Sequence, residues 1–335
     1  MTTYTERSSA TAAPRGPTSG PAPVPVPAAP SISVVICAYT TRRSDALLGA
    51  AQSIAQQTYT AYETIVVIDH NPDLLEHAMQ TLPEVCVIAN AGRRGLSAAR
   101  NTGTSVARGD VIAFLDDDAV ADPTWLAELA SVYRDPSVIG AGGVARPRWA
   151  SEAPRWLPRE FYWTVGCSYR GLPTELAPIR NPIGVSMSFR AEVFERLDGF
   201  SSDIGRVGRT PLGCEETELS IRARRAFPDG VILHVPSAEV EHLVSDERLT
   251  WRYFGARCWA EGLSKALVSE EVGSSDALAS EWTYTLRTLP TGVLRALRDG
   301  ARGDLSGVLR ASAIVIGLLA TLAGFLRGRL ATLRR

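Results

Sequence analysis

The chain has 335 residues, 45% hydrophobic and 21% charged, an ordinary globular composition with enough apolar mass for a sizeable core. A formal net charge of −1 excludes a global electrostatic case for nucleic-acid binding. Five scattered cysteines without a C-x-x-C pair exclude a disulfide framework and a cysteine-rich zinc site, and they fit a reducing compartment.

Residues 1–30 carry seven prolines between Pro14 and Pro30 and no apolar segment of the signal-peptide kind, so a disordered or extended leader is expected. SISVVICAYT (31–40) is a β-branched run followed by a turn, the first predicted strand. SDALLGAAQSIAQQ (44–57) places Leu47, Leu48, Ala51, Ile54 and Ala55 on one helical face. ETIVVIDHNPD (63–73) is a second strand ending in Asp69, and VCVIAN (85–90) a third, followed by a glycine- and arginine-rich loop. SAARNTGTSVARG (97–109) reads as a helix, and VIAFL (111–115) as a fourth strand that runs into Asp116, Asp117 and Asp118. Short apolar strands alternating with helices imply βα units and a largely parallel sheet with right-handed crossovers.

Ligands of such sheets sit off the carboxyl ends of the strands. Three of those ends carry distinctive groups: Ala38–Thr40, Asp69–Asn71 and Asp116–Asp118. The first half therefore reads as a nucleotide-binding unit. With no G-x-G-x-x-G after the first strand and no Walker lysine loop, a dinucleotide dehydrogenase and a P-loop NTPase are disfavoured.

After Gly140 the pattern loosens. ARPRWASEAPRWLPREFYW reads as an irregular segment rimming a cleft, its Trp149, Trp156 and Trp163 serving as flat sugar-facing surfaces or as core. NPIGVSMSFRAEVFERLDGF (181–200) is a short strand leading into a helix. LGCEETELSIRARRAF (212–227) is a basic helix with acids in its first turn, where they suit the helix dipole. There Glu218 is expected on the surface, and Arg222 and Arg224 either there or at a diphosphate. VILHVPSAEVEHLV (231–244) reads as strand, turn, strand, and the remainder as helical. ASAIVIGLLATLAGFL (311–326) is 16 residues without a charge. As a helix it would rise about 24 Å, short of the roughly 30 Å hydrocarbon core of a bilayer. From Arg287 to Arg335 nine arginines face only two acids, an asymmetry suited to an anionic cytoplasmic leaflet. A peripheral membrane contact through residues 287–335 is expected, with a soluble core or interface helix as the alternative.

Three adjacent carboxylates repel one another unless water screens them or a cation sits among them. A hard divalent cation holding a pyrophosphate explains the triplet economically, because Mg²⁺ and Mn²⁺ take one or two carboxylates and complete their shell with phosphates and water. On extended backbone Asp116 and Asp118 would share a side and Asp117 would point away.

In the stretches SVVICAYTTR, ETIVVIDHNPD, NAGRRGLSAARNTGTSVARGDVIAFLDDDAVADPTWL, NPIGVSMSFRAEVFERLDGF and GCEETELSIR the chain resembles the family-2 inverting glycosyltransferases of GT-A fold, over roughly residues 31–245. The resemblance implies an α/β fold with a Rossmann-like, mostly parallel central sheet flanked by helices and a helical C-terminal extension. It implies a nucleotide sugar, most simply a UDP-sugar, as donor and Mn²⁺ or Mg²⁺ as cofactor. Asp116 and Asp118 would be the D-x-D pair, with Asp118 the direct metal ligand and His242 its partner; Asp117 belongs to the same donor-binding triplet. Asp69 would accept from the base N–H, and Ala38, Tyr39 and Thr40 would line the base pocket. Arg100 and the loop from Gly92 to Gly95 would lie near base and phosphates, and Gly184 would bring backbone close to donor sugar and acceptor. His70 stands where the family usually has a small or polar residue.

Single-displacement transfer also requires a base for the acceptor hydroxyl, and Glu215 and Glu216 are the candidates. The family pattern makes the second acid the base, hence Glu216, although Glu here replaces the commoner Asp; Glu215 would bind an acceptor hydroxyl. The implied function is metal-dependent sugar transfer to a glycan, a lipid-linked acceptor or a small molecule, with no nucleic-acid partner, in the cytoplasm or at the cytoplasmic face of a membrane. Residues 31–140 would form the donor half, 141–245 the acceptor and catalytic half, and 246–335 the basic helical region. A nucleotidyltransferase would want glycines after the first strand, which CAYTTRRSD lacks. A non-catalytic scaffold of the same fold would not need Asp116, Asp118, Glu216 and His242 together.

Overall fold

The computed structural model describes Met1 and residues 29–201, 213–272 and 283–332. The expected leader falls on residues 2–28, outside the described residues.

β1 (Ile32–Ala38) is a β-branched run buried on both faces, as a central parallel strand must be. It pairs in parallel with β2 (Glu63–Ile68) and β4 (Val111–Asp116), and β3 (Cys86–Ala89) extends the sheet beyond β2. The crossovers are α1 (Ser44–Ala55), α2 (Pro72–Thr81) and α3 (Leu96–Val106). α2 starts sharply because Asn71 accepts from the Leu74 N–H and Pro72 occupies the first turn. Alternation along β1 feeds two apolar layers. Val34 and Ile36 face Leu47, Leu74 and Trp125, whereas Val35 faces the layer of Val67, Ile112, Phe114 and Phe194.

The parallel character expected of the sheet holds for these four strands. Beyond them the sheet is mixed, in the order β3-β2-β1-β4-β8-β6-β9-β5. β8 (Ser186–Arg190) runs antiparallel to β4 and to β6 (Val138–Trp149), and β9 (Val231–Val244) runs parallel to β6. β5 (Ala119–Ala121) and β7 (Ala177–Pro178) are short antiparallel partners of β9. Three helices cover this half: α4 (Trp125–Val132), α5 (Ala191–Leu197) and α6 (Glu215–Ala226).

Two sequence readings are corrected here. ARPRW is the regular end of β6. The strand–turn–strand reading of 231–244 gives way to one strand with a bulge: between His234 and Glu239, β9 advances five residues while β6 advances two, from Gly142 to Val144. Pro236 and Ser237, which look like a turn, fall in this bulge. Gly143 sits opposite it, where a Cβ would lie 1.8 Å from the Ala238 carbonyl oxygen.

The C-terminal region is helical: α7 (Trp251–Val272), a π-helical turn at Tyr284–Thr288, α8 (Leu289–Ala301) and α9 (Ser306–Thr332). The charge-free run lies inside a helix of 27 residues, about 40 Å long. Arg310 does not end it, because its guanidinium lies 3.0 Å from Asp299 and 2.8 Å from Asp304. By length and composition α9 could cross a membrane, although those properties also suit a core helix. One face packs Ile314 with Phe161, Phe254 and Leu289; another exposes Val315, Ile316, Leu319, Leu326 and Leu330. α7 and α9 approach to backbone contact. A Cβ on Gly262 would meet the Thr321 carbonyl oxygen at 2.0 Å, and one on Gly324 would meet that of Trp259 at 2.1 Å.

Candidate active site

The carboxyl ends of the parallel strands finish level: Ala38 pairs with Ile68 and Cys37 with Asp116. The three polar strand ends therefore open into one cleft of about 740 Å³, which also receives Gly184, Glu215, Glu216 and His242. Sequence-distant groups reach it by sheet pairing. Ala119 of β5 pairs with His242 of β9, and the Leu243 N–H donates to the Asp118 carbonyl, so the imidazole is delivered beside the acid triplet.

His242 Nε2 lies 3.1 Å from Asp118 Oδ1, and both side chains are buried. One ligand atom from each of Asp116, Asp118 and His242 falls within a span of 4.8 Å. Two carboxylates and an imidazole form a divalent-cation site, and the imidazole fits Mn²⁺ better than Mg²⁺. Burial alone would raise the Asp118 pKa, but His242, Arg43 and Arg248 together hold it below the usual carboxylate range. Gly166 supports the imidazole from behind. At φ +82° it places its Cα so that a Cβ would come 2.7 Å from His242 Cε1. Gly166→Ala is therefore expected to displace the ring and weaken Mn²⁺ binding by about 10–100-fold, measurable by titration calorimetry.

The reading of Asp117 is corrected. β4 stops at Asp116 and a turn follows, so strand alternation no longer governs the next residue. Asp117 is buried at the cleft wall, with Oδ1 3.0 Å from Arg43 Nη1, while Oδ2 is buried without a hydrogen-bond partner. Burial pushes its carboxyl well above the ordinary range, and Asp118 and Asp116 push the same way against Arg43. Sequence reasoning missed two participants here, Arg43 and Arg248. Arg43 Nη1 lies 2.5 Å from Asp118 Oδ2, and Arg248 Nη2 lies 3.3 Å from the same oxygen. The adjacent arginines of TTRRSD, directly after β1, and the short step from His242 to Arg248 were the available signals.

At the other end of the cleft, Asp69 accepts from Asn90 Nδ2 at 2.7 Å and from the Gly95 N–H at 3.0 Å. It thus fixes the loop that starts at Gly92. His70, in a left-handed conformation at φ 50°, donates from Nε2 to the Gly92 carbonyl at 2.9 Å. Ala38 and Tyr39 line the cleft, and Arg43 lies over the half-exposed Tyr39 ring. Thr40 caps the helical turn Thr41–Arg43 that carries Arg43.

Arg100 is buried, with its guanidinium against both the Phe114 and Phe200 rings. Its Nη1 donates to Glu215 Oε1 at 2.9 Å, and Nη2 reaches the Gly184 carbonyl at 3.4 Å and Asp116 at 3.6 Å. It ties α3, α6 and the end of β4 together. Glu215 Oε2 is buried without a partner. Glu216, the next residue on α6, faces the cleft, and burial with the Glu215 charge beside it pushes its carboxyl up to about 8. That value suits a group that must take a proton near neutral pH.

Glu218 is not on the surface. It is buried and pairs with Arg222, whose guanidinium also donates to the Leu197 and Gly199 carbonyls. Arg222 thus joins α6 to the end of α5, and Arg224 is exposed. Trp163 lines the cleft and donates to the Tyr284 hydroxyl at 3.1 Å; Trp156 stacks on Trp251, and Trp149 packs on Tyr162.

The chain's similarities fall in one group. A family model described as glycosyl transferase family 2 matches residues 33–198. A glucosyl-dolichyl phosphate glucuronosyltransferase of Haloferax volcanii is 31% identical over 241 residues, covering 71% of this chain and 77% of that protein. A mannosyltransferase of Pyrobaculum calidifontis, solved with GDP-Man and Mn²⁺, superposes with a TM-score of 0.52 at 18% identity, over 90% of this chain and 86% of that one. GalNAc-T7, solved with UDP, GalNAc and Mn²⁺, superposes with a TM-score of 0.52 at 16% identity, over 78% of this chain and 58% of that one.

Proposed function

This chain belongs to glycosyl transferase family 2, and from that premise we propose that it passes a sugar from a UDP-linked donor to an acceptor hydroxyl, with Glu216 as the base. The fold, the family and the metal cluster make it a metal-dependent glycosyltransferase of GT-A architecture that uses a nucleotide sugar. The observation that carries the reading is the convergence in one cleft of Asp116, Asp118 and His242 with a carboxyl raised to about 8 at Glu216.

In this reading Asp118 and His242 hold the metal, with Asp116 beside them. When bound, the metal supplies charge neutralisation for the departing diphosphate. Asp69 accepts from the base N–H, and Ala38, Tyr39, Thr40 and the Gly92 loop shape the base pocket. Arg43 and Arg248 add guanidinium charge at the diphosphate end. Arg100 acts one step back, orienting Asp116 and Glu215, while Gly184 closes the wall behind it. Glu215 Oε2 accepts from an acceptor hydroxyl, and Glu216 removes the proton from the attacking one. Residues 31–140 form the donor half and 141–245 the acceptor half. The exposed apolar face of α9 and the arginines around it support contact with a membrane at its cytoplasmic face, where an anionic headgroup layer would meet the basic C-terminal region.

The test is a panel of nucleotide sugars in thermal unfolding, with and without Mn²⁺. One donor at about 100 times its Kd should add roughly 2.7 kcal/mol, a rise of several degrees, only when metal is present. If UDP-sugars gave no shift while another nucleotide's did, the uracil assignment would be wrong; no shift with any donor would remove the transferase reading.

A further inference from the structure

We propose that Cys167 is a positioning residue for the metal site: its sulfur accepts the His242 Nδ1–H, which keeps Nε2 as the nitrogen offered to the cation. This rests on reading Asp116, Asp118 and His242 as the metal ligands, and adds the group that decides how the imidazole meets the metal. A neutral imidazole ligates through the nitrogen that carries no hydrogen, and the partner of the other nitrogen fixes which one that is. At Nε2 the choice is open. Asp118 Oδ1, an acceptor, lies 3.1 Å away, and Arg248 Nη1, a donor, lies 3.4 Å away.

The other end of the ring is one-sided. Nδ1 lies 3.6 Å from Cys167 Sγ, and that sulfur lies 3.9 Å from the Val165 carbonyl oxygen. A carbonyl can only accept, so the thiol hydrogen points to Val165 and the sulfur accepts from Nδ1. Both side chains are buried, and Cys167 sits in the apolar cluster of Leu157, Phe161, Val165 and Phe254. The thiol is also built into place. The Cys167 N–H donates to the Tyr162 carbonyl at 3.0 Å, and the Ser168 N–H donates to the Ala145 carbonyl at 2.8 Å. Ala145 lies on β6 two residues before Pro147, the register partner of His242. One pair of strands therefore sets both the ring and the sulfur behind it. Cys167 itself stands outside the group of ligand atoms. As a neutral partner it adds no charge to a site that already holds Asp116, Asp117 and Asp118, where a carboxylate would add a fourth.

The experiment uses the full chain with ¹⁵N-labelled histidine, metal-free at about pH 8, and reads the ring hydrogens by two-bond ¹H–¹⁵N correlation. His242→Gln identifies the signal among the four histidines. Hydrogen on Nδ1 is expected in the parent. Cys167→Ala and Cys167→Ser leave nearly the same space and differ in a hydroxyl that can take the Nδ1–H. In Cys167→Ala the hydrogen should move to Nε2, where Asp118 accepts it, and Mn²⁺ affinity by calorimetry should fall about 10–100-fold. Cys167→Ser should keep the Nδ1 hydrogen and recover most of that affinity. A bare Nδ1 in the parent would overturn the proposal. So would Ala and Ser variants that behave alike, since a residue that only fills space is replaced equally by either. A parent that bound no Mn²⁺ at all would instead sink the metal-site reading.

Discussion

Glu216→Gln is expected to reduce transfer by about 10²–10⁴-fold while leaving metal-dependent donor binding within a factor of about two. Gln keeps the volume and one hydrogen-bonding oxygen but cannot take a proton, and Glu216 is not among the groups around the metal. Donor affinity by calorimetry and turnover by product formation separate the two effects; wild-type turnover would remove Glu216 from the base role. In the parent enzyme kcat/KM should climb with pH toward a plateau, because the base works only when ionised. The free carboxyl is pushed up to about 8, and the charge of a bound cation nearby would move that midpoint down.

The same group makes a stability prediction of opposite sense. A carboxyl whose folded pKa exceeds its unfolded value binds more protons in the native state across the window between them, here from about 4.3 to about 8. Stability from this group therefore declines as pH rises through that window, as the fold is asked to bury a charge. The glutamine variant has no such decline. By pH 8.5 it should melt above the parent, by roughly 2–4 °C for each kcal/mol relieved. A gain in stability paired with a loss of turnover is the signature of a residue held for chemistry.

Asp118→Asn should abolish measurable Mn²⁺ binding and destabilise the fold by about 3–5 kcal/mol at pH 7. The second effect follows from the arginines. Arg248 makes its ion pair with Asp118, and Arg43 shares its charge between Asp118 and Asp117. Without the Asp118 charge Arg248, a largely buried guanidinium, loses its ion-pair partner and keeps only the more distant charge of Asp116. The pH dependence again has a definite sign. A depressed carboxyl contributes stability above its unfolded pKa, about 3.9, and loses it as pH falls through the folded value. Parent and variant should thus differ most near neutrality and converge in strong acid. Urea unfolding at pH 7 and pH 3 measures the gap; equal stability at pH 7 would mean the arginine pairs contribute nothing.

The parallel part of the sheet was legible because its signals are local. The β-branched runs of β1, β2 and β4 and the polar residues at their ends sit next to one another in sequence, and parallel pairing brings them level. What sequence could not place depends on pairing between distant segments. His242 was assigned by resemblance, and its position beside Asp118 comes from β5 pairing with β9. Arg43 and Arg248 were passed over because only the fold sets both against one carboxylate. Asp117 was misread because alternation was carried one residue past the end of β4. Glu218 was misread because its position in the first turn of α6 says nothing of Arg222 and the end of α5, which cover it. Counting only charge-free residues shortened α9, whose helix continues through Arg310 once Asp299 and Asp304 receive its charge.

The glycine contacts between α7 and α9 set how that pair responds to a change of solvent. An interface held by excluding water loosens when hydrocarbon replaces water, since nothing is gained by hiding one oily surface from another. Gly262 and Gly324 instead bring backbone against backbone, and dispersion between close-packed atoms is the same in either medium. That backbone contact would therefore hold as closely if an oily surrounding were exchanged for an aqueous one. The cost or gain of that exchange falls only on the side chains that face outward.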